Sequence, residues 1–175
     1  ISIALENAKL FADVQSMKNY NEAMLESMSN AVITLDEAEK IVTCNAAGLK
    51  ILKLQIGQIL NKAAAEVLGT ENAWVIDKIK HVTETQQSEL LMDTEIRVQG
   101  EPVSVNLTLQ PLLSAEAKRI GTLVLLENIS NEKRLKSTMS RFMDPGIAAQ
   151  MVSQGAEALG GKSVMATVLF SDIRG

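Results

Sequence analysis

Residues 89–126 constrain the fold most, because they contain three long segments with strand periodicity. In the first, the series Leu90, Met92, Thr94, Ile96 and Val98 alternates with Glu89, Leu91, Asp93, Glu95 and Arg97. After a Gln99-Gly100-Glu101 turn, the second has the apolar series Val103, Val105, Leu107 and Leu109. Such alternation predicts half-buried antiparallel strands. The third segment, Ile120 to Leu126, is almost continuously apolar and predicts a central strand covered on both faces.

Two shorter β-rich runs and several helices precede these strands. The runs Ala31 to Leu35 and Ile41 to Cys44 flank a charged segment, which predicts a hairpin. Asn45 comes before strong helix formers, so its side chain is expected to cap a short helix. A second helical patch spans residues 62–68, and Thr70 can cap a longer amphipathic helix.

The N-terminal residues, to about Met28, follow a heptad pattern. One series contains Ile3, Leu10, Met17 and Met24, and the other contains Asn7, Val14, Asn21 and Met28. Asparagine at two a positions favours a parallel two-stranded coiled coil, in which Asp13 and Lys18 face each other as opposite charges. The alternative is a single amphipathic helix lying on a domain.

The residues after the third long strand predict more helix and a final strand. A stripe of Leu135, Met139, Phe142 and Met143 predicts a helix that stops at Asp144-Pro145-Gly146. A second helix is expected from Pro145 to Gly155. The strand Val164 to Phe170 follows it.

Composition excludes several classes of protein. Lys and Arg number 17 against 21 Asp and Glu, a net charge of -4 that disfavours nucleic acid as a partner. The sequence shows no long apolar run and no signal peptide, so we expect a cytoplasmic chain without a membrane segment. Cys44 is the single cysteine and cannot form an internal disulfide. Since the chain starts at Ile1 and stops at Gly175 after an apolar run, we expect a piece of a longer protein.

The order of elements over residues 29–130 resembles a PAS domain. The run Glu127-Asn128-Ile129-Ser130 is similar to the family's Asp-Ile-Thr ending, with Asn128 in place of the acid. The resemblance implies an α+β fold with a five-stranded antiparallel sheet and short helices on one face. An N-terminal coiled-coil helix and C-terminal helices would flank it. Upstream, residues 3–11 look like the last helix of a GAF domain.

The far end of the chain resembles a class III nucleotidyl cyclase. Residues 168–175, Val-Leu-Phe-Ser-Asp-Ile-Arg-Gly, look like its first strand and metal loop, and residues 141–155 look like its helical transducer. In that family the strand-end Asp holds Mg²⁺; Asp172 matches it, and the carbonyl of Ile173 would lie beside it. A lone carboxylate does not complete such a site, so this piece by itself is expected not to catalyse.

These resemblances imply a regulatory segment of an adenylyl cyclase, which makes cyclic AMP from ATP. Residues 1–28 would end a GAF domain and form a signalling helix, 29–130 the PAS domain, 131–160 the transducer helices and 161–175 the start of the catalytic domain. The partners would be a second copy, bound through parallel helices and the PAS domain, and the GAF and cyclase domains. The alternative is a stand-alone PAS sensor of a small molecule or cofactor. A sensor histidine kinase would need a phosphoacceptor histidine on the following helix, and residues 131–175 contain none.

Three residues bear on a ligand in the PAS domain. Cys44 is interpreted as a buried free thiol rather than a flavin-adduct or redox site. His81 is interpreted as an exposed or capping imidazole rather than a haem ligand. Trp74 is the one aromatic residue in residues 30–130, whereas cofactor pockets are usually rich in aromatic walls. We therefore expect the pocket to be small or packed shut by Leu, Ile, Val and Met, with no cofactor predicted for it and a small apolar ligand as the alternative.

Overall fold

The computed structural model describes residues 2–142 together with residues 165 and 167. The chain divides into two units, Ile1–Asn131 and Glu132–Gly175. The second predicted C-terminal helix and the strand after it lie outside the described residues, apart from residues 165 and 167.

A single antiparallel sheet organises the first unit. Its strands are β1 (Ala31–Leu35), β2 (Ile41–Cys44), β3 (Glu89–Val98), β4 (Glu101–Leu113) and β5 (Arg119–Asn128). They lie in the order β2-β1-β5-β4-β3, and every neighbouring pair is antiparallel. The predicted α+β fold with a five-stranded antiparallel sheet is confirmed, and so are the bounds of the first hairpin.

Short helices connect β2 to β3. They are α2 (Ala46–Leu52), α3 (Ile56–Ile59), α4 (Ala64–Leu68) and α5 (Ala73–Thr85), with a 3₁₀ turn at Thr70–Asn72. The predicted cap at Thr70 is wrong: Asn72, two residues later, occupies the cap position of α5, because Thr70–Asn72 form the tighter turn. Two further helices flank the sheet in sequence: α1 (Ser2–Ser27) before β1 and α6 (Ser130–Phe142) after β5. Within the described part of the chain, no helix combines the length and apolarity that crossing a membrane requires.

The hydrophobic core lies between the sheet and α2–α5. Buried side chains from the strands include Ile33, Leu35, Leu107, Val124 and Leu126, and those from the helices include Leu52, Ile59, Val75, Ile79 and Val82. β5 is the central strand, as predicted, but Leu123 and Leu125 on its outer face are only half-buried. The expected cover on both faces is therefore incomplete, since α2–α5 all pack on the inner face.

A β-bulge in β3 reverses the faces of its first residues. The register with β4 shifts between Leu91 and Thr94, and Asp93 adopts φ 56°. Leu91 packs against the core, while the side chains of Leu90 and Met92 are 64% and 68% exposed. Strict alternation would have buried Leu90 and Met92. It is wrong for this end of the strand because one extra residue exchanges the two faces.

Candidate functional site

A cavity lies between the inner face of the sheet and the helices. Its volume is about 20 Å³, and every lining residue is apolar, among them Ile33, Leu52, Val67, Leu68 and Ile79. A space of this size is close to that of a single water, whereas ligand pockets usually measure roughly 300–1,000 Å³. The small apolar pocket agrees with expectation, although alanine rather than methionine accompanies the Leu, Ile and Val side chains.

Thr122 places a hydroxyl on this inner face, two residues before Val124. Its side chain is 1% exposed, and among the described residues its Oγ1 has no hydrogen-bond partner. Its neighbours in the sheet register are Leu35 and Pro111, whose side chains have no hydrogen-bonding groups. Burying an unpaired hydroxyl costs about 1–3 kcal/mol. Thr122 is therefore a buried polar group that the described residues leave without a partner.

The thiol of Cys44 is buried at the end of β2, with 7% of the residue exposed. Burial, with a smaller contribution from the Glu26 carboxylate, raises the pKa of Cys44 to about 11. The thiol is therefore protonated at neutral pH and is a weak nucleophile. Gly48 on α2 leaves room for it, because a Cβ there would lie 2.5 Å from Sγ. These contacts agree with the interpretation of a buried free thiol.

His81 lies on the outside of α5. Its side chain is 57% exposed, and Nε2 lies 3.5 Å from Oε1 of Glu89, which also pairs with Lys78 at 3.0 Å. Trp74, on the same helix, is half-buried against the core. The exposed imidazole expected from the sequence is therefore confirmed. Neither His81 nor Trp74 lines the cavity.

The heptad residues of α1 are exposed to solvent. Val14 and Met17 are 62% and 67% exposed, and in residues 3–27 only Leu25 is even half-buried. The described residues therefore do not cover a face of α1 before its last turn, and the choice between a coiled coil and a helix that lies on another domain stays a prediction. Lys18, which the heptad pairs with a second chain, forms an ion pair with Glu22 of its own helix at 3.7 Å.

One buried side chain fastens the end of α1 to the sheet and to α2. Asn45 is 3% exposed. Its Oδ1 accepts hydrogen bonds from the backbone N–H groups of Val32 (2.9 Å) and Gly48 (3.0 Å). Its Nδ2 donates to the carbonyls of Leu25 (2.9 Å) and Asn30 (3.0 Å). The predicted cap of α2 is confirmed by the Gly48 bond, and the same amide also holds α1 and β1.

Glu26 adds a second attachment beside Asn45. Its Oε2 accepts a hydrogen bond of 2.9 Å from the backbone N–H of Ala46, the first residue of α2. A carboxylate at this position also interacts favourably with the helix dipole. We call Glu26, Asn45 and their backbone partners the α1 joint. The sequence signalled the cap, but the contacts with α1 join residues about 20 positions apart and had no local signal.

The segment that leaves β5 is held by β4. Ile129 donates to the Ser104 carbonyl at 2.9 Å, and the Ser104 N–H donates to Oγ of Ser130 at 3.2 Å. Oδ1 of Asn128 accepts a hydrogen bond of 2.9 Å from the backbone N–H of Ser130. Asn128 thus uses its amide oxygen at the sequence position of the aspartate in the family's Asp-Ile-Thr ending. The start of α6 is thereby fixed to the sheet.

Asn106 connects the β3 bulge to the end of β5. Its Oδ1 accepts from the backbone N–H of Asp93 at 2.9 Å, and its Nδ2 donates to Oε2 of Glu127 at 2.8 Å. The half-buried side chain of Asn106 therefore joins three strands, and its contact on β5 is Glu127, the residue immediately before Asn128. The sequence reasoning missed Asn106, which looks like an ordinary polar residue of an alternating strand.

The predicted metal ligands Asp172 and Ile173 lie outside the described residues. Within the described part of the chain, no group of three or more His, Cys, Asp or Glu side chains is placed to hold a metal ion.

The family of the chain follows from its fold and its sequence together. A family model of the PAS fold matches residues 19–129, which is more than half of the chain. The chain therefore belongs to the PAS family. It is a PAS sensory domain of the kind found in signalling proteins, preceded by α1 and followed by α6.

Solved structures share this fold. The PAS domain of BvgS from Bordetella pertussis has a TM-score of 0.57 and 14% identity, covering 73% of this chain and 96% of its own. A PAS domain from Colwellia psychrerythraea has a TM-score of 0.54 and 13% identity, covering 66% and 98%. The E. coli DhaR(N)-DhaL complex has a TM-score of 0.51 and 25% identity, covering 69% of this chain and 38% of that one. No curated protein matches the chain.

Proposed function

We propose that this PAS domain is a regulatory segment of a class III adenylyl cyclase, the enzyme class that converts ATP to cyclic AMP. Residues 1–28 would end a GAF domain and serve as the signalling helix, and residues 29–130 would be the PAS domain. Residues 131–160 would be the transducer, and residues 161–175 would begin the catalytic domain. Residues 168–175 support the cyclase assignment by their similarity to its first strand and metal loop. A cytoplasmic location belongs to the same proposal.

The exposed heptad face of α1 is the observation that supports a role of this segment in relaying signals. Side chains such as Leu10, Val14 and Met17 are all more than half exposed, and they repeat at the spacing of a parallel coiled coil. A second copy of the chain is the partner that this spacing fits. The α1 joint would pass a displacement of that helix to the sheet, and the segment around Asn128 would pass it to α6.

The mechanism would be geometric. Active sites of class III cyclases form between two catalytic domains, so a rotation or register shift of paired helices changes how those domains meet. Asp172 and the Ile173 carbonyl would contribute two oxygen ligands for Mg²⁺, and the remaining ligands would come from residues after Gly175. Mg²⁺ would neutralise phosphate charge there.

The test is a register experiment in the protein that contains this chain and the domains proposed on either side. One alanine inserted after Ser16 rotates the following part of α1 by about 100°, whereas seven inserted residues preserve the heptad phase. We expect the single insertion to change the rate of cyclic AMP formation and the seven-residue insertion to leave it near the parental rate. A protein that makes no cyclic nucleotide would refute the cyclase assignment. Equal rates in all three proteins would refute the relay.

The alternative function is a stand-alone PAS sensor that binds a small molecule. The unpaired Thr122 hydroxyl favours it, because a ligand's polar group on the inner face of the sheet could satisfy that atom. Native mass spectrometry and absorbance of the purified protein test this directly. A bound molecule lost in Thr122→Val would support the sensor, and a protein of bare polypeptide mass and spectrum would count against it.

A further inference from the structure

The attachment of α1 to the rest of its unit is confined to its last turn. Side chains from residue 3 to residue 24 are exposed, and Leu25 is the half-buried one. Between α1 and the sheet or α2, the hydrogen bonds of the described residues are those from Asn45 to the Leu25 carbonyl and from Ala46 to Glu26. Any movement of α1 relative to the sheet therefore acts first on the α1 joint.

Asn45 uses its whole hydrogen-bonding capacity in this joint. A primary amide has two N–H donors and one oxygen with two lone pairs, and Asn45 uses all of them. The atoms it binds belong to the end of α1, the bend at Asn30, β1 and the first turn of α2. If the last turn of α1 moves away, a buried donor loses its partner, which is costly in a low-dielectric interior. A displaced α1 therefore weakens the hold of Asn45 on β1 and α2.

The Cys44 thiol lies beside this joint. Cys44 precedes Asn45 in the chain, and its Sγ lies 3.6 Å from the Asn45 carbonyl oxygen. Gly48, which Asn45 caps, packs against the same sulfur. Glu26 is close enough for its charge to act on the thiol. The burial of Cys44 therefore depends on the elements that the joint holds together.

We propose that the α1 joint is a conformational switch that couples the position of α1 to β1 and α2. In its closed state, the one described here, Asn45 and Glu26 hold the last turn of α1, and Cys44 is buried. In its open state, the last turn of α1 is released, the cap of α2 is lost and the Cys44 thiol becomes accessible. The switch involves residues 25–48 alone and does not depend on which domain follows the PAS fold.

The rate at which a maleimide modifies Cys44 in the complete 175-residue chain measures opening, because Cys44 is its single thiol. Glu26→Ala removes the acceptor for the Ala46 N–H, whereas Glu26→Gln keeps a side-chain oxygen at the same place. Both variants remove the same charge, so its effect on the thiol is matched. We expect modification about tenfold faster in Glu26→Ala than in Glu26→Gln. Equal rates in the two variants would overturn the switch.

A second pair of variants separates the joint from general stability. Asn45→Asp keeps the acceptor for Val32 and Gly48 but turns an oxygen toward two carbonyls. Asn72→Asp is the control: Asn72 is also 3% exposed and also holds buried backbone groups, those of Leu68 and Arg97, but it does not bind α1. We expect Asn45→Asp to accelerate the modification of Cys44 by more than its loss of global stability, measured by the urea midpoint, explains. In Asn72→Asp, we expect the loss of global stability to explain the whole change in rate. Rates that follow the midpoints in both variants would overturn the proposal. If Asn45→Asp does not fold, the pair at the exposed Glu26 decides alone.

Discussion

The Thr122 hydroxyl is buried without a hydrogen-bond partner among the described residues, so its removal should help the fold. Thr122→Val has nearly the same shape and eliminates the desolvated group. We expect the free energy of unfolding to rise by about 1 kcal/mol, since an unpaired buried polar group is destabilising. Urea unfolding of the two proteins at one pH measures this difference.

Thr34→Val is the matched control for that substitution. Thr34 Oγ1 lies 2.7 Å from Oγ1 of Thr43 on the neighbouring strand, so the same change breaks a hydrogen bond there. We expect the free energy of unfolding to fall by about 1 kcal/mol. Substitutions that shift stability in the same direction at both threonines would contradict this account of Thr122.

The raised pKa of Cys44 predicts a loss of stability in alkaline solution. Its pKa rises from an ordinary value of 9.0 to about 11, because burial disfavours the thiolate. Between these values the unfolded chain has lost the proton while the folded chain keeps it, so stability falls as pH rises. The contribution is fully present below pH 9, and we expect a loss on the order of 2 kcal/mol by pH 11.

The comparison with Cys44→Ala isolates this thiol from other groups that titrate at high pH. Unfolding free energies of both proteins are measured from pH 8 to pH 11. Subtracting one curve from the other should leave a difference that shrinks with pH. A constant difference across this range would show that the thiol titrates alike in both states.

Asn45 marks the boundary between what local sequence predicts and what needs the folded chain. Its role as the cap of α2 could be predicted, because an asparagine before a run of helix formers satisfies amides within its own segment. Its bonds to the Leu25 and Asn30 carbonyls depend on the chain returning to the sheet beside α1. Side-chain periodicity contains no information on such a contact.

Among the elements, β3 offers a direct test of the bulge. Leu91 packs against the core, whereas the neighbouring Leu90 is 64% exposed. Leu91→Ala should therefore lower the free energy of unfolding by about 2 kcal/mol, and Leu90→Ala by less than about 0.5 kcal/mol. Urea unfolding of both variants decides between the bulged strand and a strictly alternating one, which predicts the opposite ranking.

The sequence around the bulge contains a signal that a prediction from simple alternation does not take into account. Leu90, Leu91 and Met92 are three apolar residues in a row, which a strand with one buried face does not need. Asp93 follows them, and aspartate tolerates the left-handed backbone that it adopts here. A break in the pattern followed by such a residue could have placed the change of face, although not the hydrogen bond from Asn106 that accompanies it.

For the whole molecule, the exposed heptad face of α1 predicts the oligomeric state. The chain should be a dimer in solution, because Asn7 and Asn21 at a positions favour two parallel strands. The double substitution Asn7→Leu and Asn21→Leu should broaden the population toward larger oligomers. Light scattering at matched concentrations measures both masses, and a stable monomer for the parent chain would contradict the heptad interpretation.

The overall architecture was predictable because its signals are local and repeated. Alternation and turn residues located the strands, and their order led to the PAS fold that the family match confirms. The half-exposed outer face of β5 was not predictable, because a continuous apolar run looks the same whether one face or both are covered. The size of the cavity depended on side-chain packing and followed only in outline from the scarcity of aromatic residues.

The pairing of β1 with β5 has a consequence for how such a domain can change over time. Ala31 lies opposite Leu126, so the start of β1 and the end of β5 lie side by side on adjacent strands, at the same end of the sheet. Adjacent strands are about 4.8 Å apart, and that spacing does not depend on the residues between them in sequence. Insertions and substitutions among α2–α5 can therefore accumulate without moving the two ends apart. A PAS domain can therefore evolve a response to a new stimulus through changes in those helices, while the positions at which its flanking helices join the sheet stay the same.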